Sequence, residues 1–302
     1  MIRIDRVGVT TVQDAGRPGF AHLGVPRSGA ADRASFALAN RLAGNSASAA
    51  VLETSGGLAI TALRDITVVL TGADAESLID DRPLGRCKTT PVVNREVIRV
   101  SRLRSGNWAY LAISGGISGI YRDNTNQANS TALLGSFSHD MLSGFIPVPL
   151  QSGSLLQIAE PVSVPSSLDV VVDPVLARRL HLSGGPHREL FPTESLQHFV
   201  RANWIVSPMS NRVGIRLTHS PQSASHDPPP ASSLTGVSLG ELASIPLVRG
   251  AVQVTPSGEI VVMLADHPTT GGYPVIGVIG ADDVDALAQQ QPYTAVAFAW
   301  AT

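Results

Sequence analysis

Apolar residues along the chain gather in short Val-, Ile- and Leu-rich runs: Ile66 to Leu70, Val97 to Val100, Trp108 to Ile113, Leu155 to Ile158, Leu168 to Val172, Trp204 to Ser207, Val213 to Leu217, Ile260 to Leu264 and Ala295 to Trp300. Gly, Pro, Asp or Ser punctuates most of them, which is the pattern of short strands closed by turns. Their spacing predicts barrels or sandwiches and not regular βαβ units. Helical periodicity is rarer. From about Ala31 to Ala43, Leu38 and Leu42 lie one turn apart, with Ser28 or Asp32 as N-cap and Gly44 or Asn45 as the stop. A second helix, about Asp282 to Gln290, carries Val284, Leu287 and Ala288 on one stripe and ends before Pro292. Asp173-Pro174 opens a short third, and Thr193 with Leu196, Phe199 and Val200 forms a fourth. The expectation is a mainly β protein with a few inserted helices.

A length of 302 residues implies two domains of roughly 150 residues each or one large barrel. The Pro/Ser-rich stretch Pro161 to Ser167 is the candidate boundary, and Ser220 to Ser233, with Pro228, Pro229 and Pro230, reads as a surface loop. No short repeat interrupts this picture. With 43% hydrophobic and 15% charged residues, 28 Gly and 21 Pro, the chain is globular and turn-rich, neither disordered nor fibrous. The 22 basic residues meet 24 acidic ones, and the resulting charge of −2 supplies no field for a phosphate backbone, so nucleic acid is excluded as a partner. Lys88 is the lone lysine, and every other cation is arginine. Cys87, also alone, forms neither an internal disulfide nor a thiolate zinc cage and reads as a passive thiol. Charges at Arg3, Asp5 and Arg6 break any signal-peptide core. No apolar stretch approaches the roughly 18 residues of a membrane span, so a cytoplasmic protein without membrane contact is expected.

The common signatures for ATP, dinucleotide, zinc-protease and hydrolase sites are missing: no Gly-Lys-Ser/Thr loop, no Gly-x-Gly-x-x-Gly, no His-Glu-x-x-His, no Gly-x-Ser-x-Gly. Polar residues and glycines instead concentrate in two segments. Thr11 to Asp32 holds Gln13, Asp14, Gly16, Arg17, His22, Ser28, Gly29 and Asp32. Its glycines allow close backbone approach to a ligand, while Asp14, Arg17, His22 and Asp32 offer acid/base or anion contacts. The alternative is a turn-rich connection in which Asp14 and Asp32 cap backbone and His22 is structural. Asp266 to Pro274 follows the strand Ile260 to Leu264. There Thr269, Thr270, Gly271, Gly272 and Tyr273 could present hydroxyls and N–H groups to an anion or carbonyl, with Asp266 as acceptor or base. A tight turn with Asp266 as its cap is the other reading. Arg212 and Arg216 would share one side of a strand as a carboxylate or phosphate clamp, or else balance surface acids. No metal ligand set is assigned.

These segments in this order carry a resemblance. Thr11-Val12-Gln13-Asp14-x-Gly16-Arg17-Pro18-Gly19, Gly24-Val25-Pro26-x-Ser28-Gly29-Ala30-x-Asp32, Ala39-Asn40-Arg41-Leu42, Leu52-Glu53, Tyr110 to Gly116, Ser210 to Leu217 and Thr269 to Pro274 together are similar to the biotin-dependent carboxyltransferase-like, allophanate-hydrolase-subunit-2 family. The resemblance spans nearly the whole chain and implies cyclophilin-like β-barrel domains. These are placed at 1–162, with the Thr-Val-Gln-Asp segment, and 163–302, with the Thr-Thr-Gly-Gly segment, strands being exchangeable between them. It implies work as the C-subunit of an ATP-dependent 5-oxoprolinase, which opens the cyclic amide 5-oxo-L-proline to L-glutamate. The implied partners are a KipI-like protein and a LamB/YcsF-like protein, the other two subunits of that enzyme, with ATP and its Mg shared among them and the chain inactive alone. In that role Arg17 and Arg212 or Arg216 would contact anionic groups, Asp14, Asp32 or Asp266 would serve as acid, base or metal contact, and Thr269 to Gly272 would donate hydrogen bonds.

Two other roles follow from the same resemblance. One is a carboxyltransferase-type component of a urea carboxylase or allophanate-hydrolase-like system, to which biotin must come on another protein because no Met-Lys-Met is present. The other is a non-enzymatic KipA-like antagonist of a KipI-like kinase inhibitor. One stretch departs from the family pattern: Gln127 to Asp140 keeps Ser130 and Thr131 but has Asn129 where relatives carry arginine.

Overall fold

The computed structural model describes residues 1–121, 132–145, 147, 149–160, 179–219 and 242–301. The expected strand at Leu168 to Val172, the helix opened by Asp173-Pro174, the Pro161 to Ser167 boundary, the Ser220 to Ser233 loop and Asn129 lie outside them. The chain divides into two compact units, Met1–Pro18 with Arg27–Pro174, and Gly19–Pro26 with Val175–Thr302.

The first unit contains strands β1 (Ile2–Arg6), β2 (Thr10–Gln13), β3 (Val51–Thr54), β4 (Leu58–Ala62), β5 (Ile66–Ile79), β6 (Arg82–Pro83), β7 (Thr90–Val92), β8 (Val97–Ile113), β9 (Ile117–Tyr121) and β10 (Leu155–Ile158), and helix α1 (Arg33–Leu42). They form one sheet in the order β2-β3-β8-β4-β1-β10-β9, with β5 alongside β8 and the short β6 and β7 on β5. The runs Val97 to Val100 and Trp108 to Ile113, separate in the sequence pattern, are the two ends of the single strand β8. Its middle lacks apolar alternation, yet it stays paired to β5 through Asp74 opposite Ser105 and Ala75 opposite Leu103, across register shifts that bend both strands. Alternation along β5 serves two layers. Val68 and Leu70 enter a core with Ile4, Leu52, Ile60, Ile98 and Leu111, whereas Val69 faces Phe36, Ala39 and Leu42 of α1 together with Tyr110 and Ala112. Helix α1 starts where the sequence pattern places it, with Asp32 as its N-cap accepting from the Ser35 N–H at 2.9 Å.

The second unit is a closed barrel, and its mainly β character agrees with the sequence pattern. Its strands are β11 (Arg179–Gly184), β12 (Trp204–Val206), β13 (Gly214–His219), β14 (Ile245–Pro246), β15 (Ala251–Val254), β16 (Ile260–Met263), β17 (Thr270–Gly271), β18 (Val275–Ile279) and β19 (Ala295–Trp300), with helices α2 (Thr193–Arg201) and α3 (Ala281–Ala288). The barrel order is β11-β18-β15-β16-β13-β12-β19, closed by parallel pairing of β19 with β11, and β14 pairs separately with β17. Closure leaves no open edge among those strands. The aromatic ring of Phe199 on α2 lies 4.6 Å from Phe298 and 5.4 Å from Trp204, centroid to centroid, which fastens the helix to β19 and β12. Among the described residues no helix is long and apolar enough to cross a membrane.

Candidate functional site

In the first unit the two parts of the Thr11 to Asp32 segment that belong to it, 11–18 and 27–32, are built around Asp14, which is buried at the end of β2. One carboxylate oxygen accepts from the Gly16 N–H at 2.8 Å, the Ser136 hydroxyl at 2.7 Å and the Ser138 hydroxyl at 2.6 Å, and the other accepts from the Phe137 N–H at 2.7 Å. Both oxygens are thus engaged inside the unit. Arg17, 1% exposed, donates from Nη2 to the Ser138 carbonyl, and its backbone N–H reaches the Arg27 carbonyl at 2.8 Å. Gln13 donates to the Thr11 hydroxyl and to the His139 carbonyl, both at 3.0 Å, and Ser28 donates to that same carbonyl at 3.1 Å. Gly16 has a φ of 77°, and a Cβ there would sit 2.5 Å from the Arg27 carbonyl oxygen, so this crossing of two chain segments requires glycine. Gly29, with φ 94°, is likewise pressed against the Asp14 backbone.

A second buried polar chain adjoins α1. Asp32 caps the helix through Ser35, and its own N–H donates to the Tyr110 hydroxyl at 2.7 Å. That hydroxyl is bonded to the carboxylate of Glu53, which also accepts from the Ala31 N–H at 2.8 Å. Complete burial, reinforced by the charges of Glu53 and Asp32, raises the phenol well above its usual range, so Tyr110 remains a protonated donor. It holds Glu53 and the first turn of α1 in place. His22 takes no part in these networks: it is exposed, in the short 3₁₀ turn Ala21–Leu23, and belongs with the second unit. Cys87 is buried, and burial, partly offset by Arg86, pushes its thiol upward, away from the thiolate that reacts.

In the second unit Arg212 and Asp266 form a buried two-pronged ion pair, Nε to Oδ2 and Nη2 to Oδ1, each at 2.9 Å. The Asp266 N–H returns to the Arg212 carbonyl at 2.9 Å. Arg216 lies two residues into β13 and pairs with Glu259 beside the start of β16, half-exposed. The two arginines therefore each meet a carboxylate of their own chain. The Thr269 to Tyr273 segment runs along β17 opposite β14. A Cβ on Gly271 would stand 2.7 Å from the Leu247 side chain and 2.9 Å from the Gln253 amide, so both side-chain ends pack against this glycine. The Gln253 amide donates to the Tyr273 carbonyl at 3.2 Å, while Thr270 and Tyr273 are exposed and Thr269 and Gly272 half-buried.

Two sequence segments are thus each brought into a local network: Gln13, Asp14, Gly16, Arg17, Ser28 and Gly29 in one, and Arg212 with Asp266 in another. Ser136, Ser138, His139, Glu53 and Tyr110 complete the buried polar set of the first unit and were not candidates in the sequence. The signal for Ser136 to His139 was present only as the later part of the departing stretch Gln127 to Asp140. Tyr110 read there as part of the apolar run Trp108 to Ile113, and Glu53 entered only with Leu52 in the resemblance. Among the described residues no three His, Cys, Asp or Glu side chains gather as a metal set.

The family model for the carboxyltransferase domain, subdomain A and B, matches residues 23–300. The C-subunit of 5-oxoprolinase from Escherichia coli (strain K12) is 32% identical over 294 residues, which cover 96% of this chain and 87% of that protein. The urea amidolyase of Lachancea kluyveri is 29% identical over 96% of this chain, but the match covers 16% of that protein. The crystal structure of TTHA0988 superimposes with a TM-score of 0.82 at 30% identity, covering 99% of this chain. The chain spans 56% of the length of that solved chain, about half of it.

Proposed function

This chain belongs to the carboxyltransferase domain family, subdomain A and B, and from that premise we propose that it acts as the C-subunit of an ATP-dependent 5-oxoprolinase. The observation that carries the reading is the two-sided coverage of the Escherichia coli protein, 96% of one chain and 87% of the other. The urea amidolyase match is equally wide on this chain but only 16% of that protein. The reaction opens the lactam of 5-oxo-L-proline. A resonance-stabilised amide resists water, so its carbonyl oxygen must first be activated, as by phosphoryl transfer from ATP with release of ADP; water then adds, the ring C–N bond breaks to leave the amine and an acyl phosphate, and a second water releases inorganic phosphate to give L-glutamate. A KipI-like protein and a LamB/YcsF-like protein share this work in a cytoplasmic assembly.

In this reading the candidate residues have different roles. Asp14 and Arg17 act as buried supports, since their polar atoms serve Gly16, Ser136, Phe137 and Ser138. Arg212 and Asp266 brace the approach to the Thr269 to Tyr273 turn. That turn, with Thr270 at the surface and Thr269 half-buried beside it, is the segment through which this chain donates hydrogen bonds to substrate or to nucleotide phosphate. ATP with Mg fits a donor surface of this kind but has no preformed phosphate loop in this sequence, so the partners supply the rest of its site.

The test is ATP hydrolysis by this chain co-purified with its KipI-like and LamB/YcsF-like partners, with 5-oxo-L-proline, with urea and with neither. Stimulation by 5-oxo-L-proline with formation of glutamate is expected, and the chain alone is expected to be inactive. Stimulation by urea alone would transfer the assignment to the carboxyltransferase reading, and stable association without any turnover would favour the KipA-like antagonist.

A further inference from the structure

The turn from Thr269 to Tyr273 is carried by a small ribbon of β14 and β17, in which Ile245 stands opposite Gly271 and Pro246 opposite Thr270. Leu247, just after β14, joins an apolar cluster with Ala251 of β15, Val261 and Met263 of β16 and Val275 of β18, and Ile245 packs against it. Successive strand residues point to opposite faces. Gln253, two residues beyond Ala251 and opposite Val261 in the β15–β16 register, therefore belongs to the face that this cluster covers. It is 4% exposed. A buried amide among apolar side chains is costly unless its polar atoms are bonded, and an aliphatic side chain of equal length would fill the same space.

What the amide adds is a fixed point. Its Nε2 donates to the Tyr273 carbonyl at 3.2 Å, and the same nitrogen stands 2.9 Å from where a Cβ on Gly271 would be. At the other end of the turn the Leu247 N–H donates to the Thr269 carbonyl at 2.9 Å. Thr270, Gly271 and Gly272 thus run between two anchored carbonyls, one held by backbone and the other by a side chain. Two adjacent glycines give this stretch a wide choice of backbone angles, so the anchors at its ends set where its N–H groups and the Thr270 hydroxyl point. Beyond the turn Pro274, its φ fixed by the ring, is tied to β15 through the Val254 N–H at 3.0 Å. The Tyr273 carbonyl is the joint between that fixed proline and the glycines.

We infer that Gln253 is a positioning residue: its amide pins the Tyr273 carbonyl and so sets the direction in which Thr270 to Gly272 present hydrogen-bond donors to an anionic or carbonyl oxygen. The inference rests on the reading of this turn, given above, as the donor surface of the chain. Gln253 touches no ligand itself. It keeps a glycine-rich stretch in one arrangement before binding, so that ordering it is not charged against the bound state.

The experiment compares the unmodified chain with Gln253→Met, which keeps the length of the side chain and removes the donor, and with Val261→Ala, which loosens the same apolar face and leaves the hydrogen bond. Amide hydrogen exchange on the whole chain is expected to be about tenfold faster at 270–272 in Gln253→Met, with β18 unchanged. In the assembly with the KipI-like and LamB/YcsF-like partners, Gln253→Met is expected to raise KM for 5-oxo-L-proline or for ATP about fivefold, with kcat within about twofold. Val261→Ala is expected to lower the melting temperature and to leave both KM values unchanged, because a purely structural loss reduces the amount of active enzyme and not its affinity. Exchange at 270–272 that is no faster in folded Gln253→Met overturns the inference. So do unchanged KM values in an active Gln253→Met assembly, or an equal rise of KM in Val261→Ala. An unmodified assembly without 5-oxo-L-proline-dependent turnover would remove the proposed reaction instead, and the exchange comparison would still decide whether Gln253 holds the turn.

Discussion

Asp14 and Ser138 lie 124 positions apart in sequence and 2.6 Å apart in space. Removing the Asp14 carboxylate strands two hydroxyls and two backbone N–H groups inside the unit. Asp14→Ala is expected to lower stability by roughly 3 kcal/mol, read as a fall in melting temperature or denaturant midpoint. An unchanged midpoint would show that the carboxylate is available for chemistry instead. Glu53 and Tyr110 follow the same logic in a second network, where a phenol with a raised pKa stays a donor between two acids.

At the scale of elements, the long antiparallel pairing of β5 with β8 and the closed barrel fix which polar groups face inward. Strand β13 ends at His219, whose ring lies 4.5 Å from that of Trp204 on the neighbouring β12. Burial holds His219 below its ordinary value near 6.5, so in mild acid the unfolded chain takes up a proton that the folded chain resists. The stability contributed by the neutral ring is present above about pH 6.5 and is lost as the pH falls below it. The melting temperature is therefore expected to fall between about pH 7 and pH 5, and less steeply in His219→Phe, which keeps the ring contact. Equal slopes for the two proteins would remove His219 from the account.

For the whole molecule, two compact units with separate cores carry the two candidate segments. The similar proteins include a 5-oxoprolinase C-subunit and urea amidolyases, and the sole lysine, Lys88, sits outside any Met-Lys-Met. On the 5-oxoprolinase reading, turnover of the assembled complex is expected to be insensitive to avidin, which sequesters biotin. Loss of turnover on adding avidin would mark the carboxyltransferase chemistry as the working one.

Strand-sized apolar runs, Gly and Pro punctuation and the Asp32 cap come from nearest-neighbour periodicity, so the mainly β class, α1 and the span of β10 were legible in the sequence. The glycines at 16 and 29 were legible as special, because a left-handed backbone pressed against another backbone segment favours a residue without Cβ. The partners of each polar residue were not legible. That Asp14 belongs to Ser136 and Ser138, Arg212 to Asp266, and Tyr110 to Glu53 follows from contacts between distant segments, which local pattern does not encode. The continuity of β8 through its polar middle was hidden for the same reason, since its pairing with β5, and not its own alternation, keeps it extended. Local pattern thus marked which residues are chemically distinctive. Pairing between distant segments alone decided that Asp14 and Arg17 are engaged inside the fold and that Arg212 is held by Asp266.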